Sequence, residues 1–99
     1  DMAQLRADIH GARKVLLHYC DEQGRKRERT VWPIAVGYLE AVRHLAGWCE
    51  LRADFRSFRI DRIAHAVFLE EKYPERRAVL RARWMKHMQD MRRRACDPL

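Results

Sequence analysis

The stretch ADFRSFRIDRI, residues 53–63, sets Arg56, Arg59 and Arg62 at every third position among Phe55, Phe58, Ile60 and Ile63. A guanidinium stays charged at any physiological pH and presents a planar fork of donors, so it grips phosphate or carboxylate oxygens in pairs and stacks on flat rings. Fixing three of them to apolar residues that want burial would hold that charge in a defined place, and the chemistry the pattern supports is anion recognition. The competing reading is structural: Arg59, Asp61 and Arg62 form an ion-pair cluster, and the long basic stems cover apolar surface while their heads stay wet. Other reactive groups are dispersed. His10, His18, His44, His65 and His87 stand at no metal-ligand spacing with one another or with Cys20, Cys49 and Cys96, so no zinc site is expected. Gly11, Gly24, Gly37 and Gly47 form no phosphate loop. No catalytic residue, metal or cofactor is therefore expected.

Composition narrows the class of partner. The chain has 99 residues, enough for one compact domain, with a formal charge of +7 and an isoelectric point near 9.9. That balance favours polyanions: nucleic acid, a nucleotide or an anionic surface. No apolar run approaches the ~20 residues that span a bilayer, and DMAQLRADIHGAR lacks the apolar segment of a secretory leader. An odd number of cysteines argues against a disulfide framework, and Cys20 and Cys49 read as small buried hydrophobes. The expectation is a soluble cytoplasmic protein with no membrane partner.

The elements that must position the arginines read as a helix, a run of strands and a second helix. Met2, Leu5 and Ile9 recur at three- and four-residue steps, which predicts a short helix over residues 2–10 closed by Gly11. KVLLHYC and RERTVWPI flank DEQGRK, whose Asp21 and Gly24 supply turn chemistry, so the three form a hairpin. Alternation puts Thr30 and Trp32 on one face and Arg29 and Val31 on the other, and Pro33 belongs at a strand end or edge. Trp32, in that edge-like segment, is the tryptophan available to stack a base. GYLEAVRHLAGWCEL fits strands, yet Leu39, Val42 and Ala46 also fit a helical stripe, so periodicity leaves it open. The arginine-bearing stretch reads as a strand, with Arg56, Phe58, Ile60 and Arg62 on one face and Arg59 and Asp61 on the other, and IAHAVFLEEKY as one more. Pro74 suits the first helical position and Glu75 the positive end of the helix dipole. Leu80, Trp84, Met88 and Met91 then make a docking stripe opposite a face of basic residues.

From about Ile9 to Ile63 the chain resembles the WYL domain, the sensory module behind the helix-turn-helix of many bacterial regulators of the YafY-like and DeoR-like kinds. The matching pieces run in order: the apolar strand ending in Tyr19, the Gly24 turn, RTVWPI, Tyr38, and WCELRADFRSFRIDRI, the most specific of them. The tripeptide that names the family falls on Arg43, His44 and Leu45, so only its leucine is kept. Shorter YafY-like members look similar in this respect.

The resemblance implies a mainly β fold: a small Sm-like or SH3-like barrel over residues 12–73, with a short helix over 1–11 and a longer one over 74–95. It also implies strands for the ambiguous section. Family members are thought to sense a negatively charged effector, a nucleotide or single-stranded nucleic acid. On that pattern Arg29, Arg52, Arg56, Arg59 and Arg62 match recurrent basic positions, with Arg52 and Arg56 as leading contacts and Arg29 and Tyr38 bordering the pocket. The chain begins at Asp1 and shows no helix-turn-helix, so it is expected to be the C-terminal part of a longer, dimeric regulator that meets DNA through another domain. Trp84, Met88 and Met91 offer a candidate dimer interface. Two other functions fit the same residues: a structural oligomerisation module, and a general nucleic-acid binder with no defined pocket.

Overall fold

Val15, Leu17, Val31, Leu45, Cys49 and Phe58 sit at alternating positions of short apolar runs, and their side chains meet in one core with Ile9. That alternation builds the sheet. The computed structural model describes residues 2–96; Asp1 and residues 97–99 fall outside it. Helix α1 (Met2–His10) leads into strands β1 (Arg13–Cys20), β2 (Lys26–Leu39), β3 (Val42–Cys49) and β4 (Asp54–Arg59). A 3₁₀ turn (Ile60–Arg62) then delivers β5 (Ile63–Lys72) and helix α2 (Arg77–Cys96). None of the described helices is long and apolar enough to cross a membrane.

The strands form one antiparallel sheet in the order β4-β3-β2-β1-β5, so β4 and β5 are its edges and no ladder joins them. The barrel expected from the resemblance is therefore not closed by hydrogen bonds. The sheet is nonetheless strongly curled. Its two edges are linked by a 3₁₀ turn of three residues, which rises only about 2 Å per residue, so they must meet at that end. Tyr19 of β1 touches Phe58 of β4 edge-on, with ring centroids 5.3 Å apart, although two strands lie between them in the ladder. What remains is a seam between the outer edge of β4 and the end of β1.

Local chemistry accounts for the connections. Asp21 organises the β1–β2 turn: its Oδ1 accepts the backbone N–H groups of Gln23 and Arg25, and Gly24 takes a left-handed φ of 77°. The ambiguous section proves to be strands, joined at Glu40 and Ala41. Both residues carry positive φ, 53° and 64°, as a tight hairpin whose twist matches its strands requires. Gly47 is needed for close approach, since a Cβ there would lie 2.4 Å from Cγ1 of Val31. Helix α1 ends at His10, but the left-handed residue after it is Ala12, φ 58°, and not Gly11.

Four expectations change. Pro33 is fully buried in β2, a central strand, and not at an edge; β2 pairs with β1 only through Val31, so the missing N–H falls where that ladder has ended and β2 faces β3 alone. The arginine-bearing strand stops at Arg59, and Ile60–Arg62 turn away from it. Pro74 and Glu75 lie before α2, which begins at Arg77. That helix docks through Leu80, buried with Ile34 and Tyr73, and through Trp84 beside them. The stripe does not continue: Met88 is 42% exposed and Met91 50%.

Candidate functional site

The seam holds an open depression of about 460 Å³. Arg56 and Arg59 line it from β4, Arg62 from the 3₁₀ turn, and Tyr19 and the Asp21 turn from across the gap. Strand geometry alone would separate these arginines. Arg56 pairs opposite Gly47 and Arg59 opposite His44, and an odd spacing of three sends them to opposite faces. Two features reunite them. β4 is an edge strand, so both of its faces border the seam, and the 3₁₀ turn swings Arg62 back toward it.

The three arginines are not equivalent. Arg59 forks onto Asp61, with Nε 3.1 Å from Oδ1 and Nη2 2.7 Å from Oδ2. The bidentate contact with Arg59 holds the Asp61 carboxyl below its ordinary range, and the same contact raises the guanidinium. Half of the structural reading is thus present. Across the gap Asp21 is also engaged: the backbone N–H of Arg25, first of all, holds its carboxyl low, and Arg27 Nε lies 3.1 Å from Oδ2. Neither Arg56 nor Arg62 pairs with a carboxylate among the described residues. Arg62 nonetheless lies near enough to Asp61 to help hold its carboxyl low, after Arg59, and the carboxylate of Glu22 also borders the depression.

The other candidates lie elsewhere. Arg52 is exposed in the β3–β4 turn, beyond the Cys49–Asp54 pair and at the far end of that hairpin from Arg59. Arg29 lies opposite Leu17 on β2 and donates to the carbonyl of Glu28, 2.7 Å away. Tyr38, 67% exposed, accepts from Nε of Arg43 at 2.9 Å near the β2–β3 turn. None of these three lines the depression. His44, at the second position of the family tripeptide, does line it, half-buried with Nδ1 3.0 Å from the carbonyl of Val42.

Trp32 is not a free stacking platform. Its ring stacks on Tyr73 at 5.6 Å and its Nε1 donates to Glu50 Oε2 at 2.8 Å. Glu50 also receives Lys14 Nζ at 2.8 Å, and Lys14 reaches Glu71 at 2.7 Å, tying β1 to the end of β3 and to β5. The hydrogen bond from Lys14, ahead of that from Trp32, lowers the Glu50 pKa. Cys49 is buried as expected, whereas Cys20 is only half-covered. Among the described residues no group of three or more His, Cys, Asp or Glu is placed to hold a metal ion.

A curled five-stranded sheet with one helix before it and one after, bearing arginines along an unpaired seam, defines a small mainly β domain. The family model of the WYL domain matches residues 2–68, and the chain belongs to that family. Among solved structures it resembles the proteasome accessory factor B/C (PafBC) of Arthrobacter aurescens, with a TM-score of 0.67 and 24% identity. That match covers 74% of this chain and 12% of the other, so it speaks for the fold of one part of a much longer protein. No curated protein matches the chain.

Proposed function

We propose that this domain is the non-enzymatic sensory part of a transcriptional regulator and that it binds a phosphate-bearing effector, a nucleotide or single-stranded nucleic acid, in the seam. The observation that carries the reading is the inequality of the arginines: Arg59 is neutralised by Asp61, while Arg56 and Arg62 face the depression unpaired. Guanidinium groups held so, Arg56 by the edge strand and Arg62 by the turn after it, suit two phosphate oxygens, and Arg59 positions that turn through Asp61. Binding regulates only through differential affinity, so the effector must prefer one arrangement of this domain relative to the DNA-binding part. In the intact regulator, expected to be a homodimer, that preference would reach two DNA half-sites.

A second reading is favoured by where the charge lies. Eight of the 21 basic residues and three of the 14 acidic ones follow Pro74, so this last quarter carries +5 of the formal +7. A general polyanion binder would use α2 and not the seam. The test titrates the purified chain with labelled single-stranded oligonucleotides and with cyclic and linear nucleotides, at two salt concentrations. Saturable binding abolished by Arg56→Ala and by Arg62→Ala, but kept by Arg52→Ala, is expected in proteins that melt like the parent. Binding indifferent to Arg56 and Arg62, and lost steeply with salt, overturns the seam in favour of α2.

A further inference from the structure

Helix α2 docks through Leu80, Trp84 and His87, whose ring lies 5.3 Å from that of Phe55, and the flank that bears its methionines is left uncovered. Leu80 is 1% exposed, whereas Met85 and Met88 are 50% and 42% exposed. At 100° per residue Trp84, Met88 and Met85 share one flank of the helix, and Arg81 and Arg92 fall on the same flank, eleven residues or about 16 Å apart. These side chains, with Gln89, line an open hollow of about 370 Å³ on the face of α2 itself, with an arginine toward each end. Trp84 and Met88 also wall an adjoining, mainly apolar cleft of about 240 Å³, closed on the other side by Tyr38 and Leu39 near the β2–β3 turn. Leu39 is 61% exposed, and Arg43 stands beside the Tyr38 ring, 5.7 Å from its centroid. Arg81 rests over Trp84 at 5.8 Å. No described carboxylate pairs with Arg43, Arg81 or Arg92.

We propose that this surface docks an acidic amphipathic segment of a partner protein. Its apolar side chains would cover Met85 and Met88 and enter the cleft beside Trp84, while its carboxylates meet Arg81, Arg92 and Arg43. Charge complementarity selects this occupant. A second copy would bring another strongly basic α2 against the first, and like charges oppose that docking. A nucleic acid has no aliphatic side chain to fill the cleft, and a bilayer surface cannot follow a concavity between a hairpin and a helix. Methionine-lined grooves suit this use because the unbranched side chain repacks around different apolar residues. The cleft adjoins the seam, with which it shares His44 and Ser57, but the proposal uses neither Arg56 nor Arg62.

The test is fluorescence anisotropy of the 99-residue chain with a labelled peptide of about eighteen residues, leucines at three- and four-residue spacing between glutamate pairs about eleven residues apart. A scrambled peptide of the same composition is the control. Saturable micromolar binding is expected, weaker by about tenfold or more in Met88→Glu, in Met85→Glu and in the joint Arg81→Glu, Arg92→Glu variant. All three leave Leu80 in place, and only Arg81→Glu removes a contact of its cluster, the guanidinium over Trp84, so the melting temperature should move little. Equal binding of the scrambled peptide, or binding that survives both methionine changes, overturns the proposal. So does preferential binding to phosphatidylglycerol vesicles lost in the same variants, which would give the surface to a membrane. Sedimentation showing a dimer that Met88→Glu converts to a monomer would give it to a second copy, and equally overturns it.

Discussion

The seam and helix α2 are both rich in arginine, and they treat it in opposite ways. Along the seam the charges are few and fixed to a curled sheet, and of its three arginines Asp61 takes one, Arg59, which leaves Arg56 and Arg62 without an ion pair. On α2 most of the basic residues stand in solvent on a helix held through Leu80, Trp84 and His87, and the one ion pair described there joins Arg83, which also rests over Trp48, to Glu75. On the proposed reading, the first arrangement would recognise the shape of an anion and the second its field. Net charge alone points to α2; which arginines are unpaired points to the seam.

The harshest way to break the comparison is to remove the scaffold. Gly47→Val would drive Val31 and the Trp32 carbonyl apart, 2.4 and 2.7 Å from a Cβ, and should cost more than about 3 kcal/mol, read by urea denaturation as loss of the folded baseline. Leu17→Ala, at 0% exposure in the sheet core, should cost about 2–5 kcal/mol in a single cooperative transition. Leu80→Ala sharpens the contrast, because it loosens α2 while sparing the first core. Limited proteolysis should then cut within α2 and leave a folded sheet, and loss of the sheet signal as well would show the two regions to be one cooperative unit.

Salt separates them more gently. A mononucleotide held by two arginines should lose affinity only modestly between about 50 and 200 mM salt, whereas polyanion binding along α2 should fall by orders of magnitude. The smallest effect is with pH. Asp21, Glu50 and Asp61 all have lowered pKa values in the fold, so the unfolded chain binds protons more readily. Their contribution is complete above the unfolded carboxyl range and is lost as the pH drops through the folded values. The melting temperature should decline below about pH 4, and less so in Glu50→Gln.

Much of this was legible in the sequence. The Asp21 and Gly24 turn, the alternation of Val15 with Leu17 and the two flanking helices all follow from local rules. The arginines were legible as a group but not in their arrangement. Arg52 and Arg56 are close in sequence, yet a hairpin sends Arg52 to its tip while a 3₁₀ turn returns Arg62 to the seam. Pro33 looked like an edge residue because its missing N–H is a local property, whereas the end of the β1 ladder is a tertiary one. Lys14, Glu50 and Glu71 gave no signal, and Trp32 read as a free stacking platform, since their contacts join distant strands. The exposure of Met88 and Met91 was hidden too, because periodicity says which residues share a face and not how far the sheet extends beneath them.

The pairing of β5 with β1 sets the order in which the molecule can assemble. β2, β3 and β4 pair with their sequence neighbours through short turns, but Val15 meets Phe68 only after most of the chain has been gathered in. Loop-closure entropy makes that pairing late, so the meander should form first and the β1–β5 ladder should complete the rate-limiting step. Until it forms, β1 has one bare edge and β5 has no neighbour. A nascent chain interrupted at that stage would present strands ready to pair with another copy.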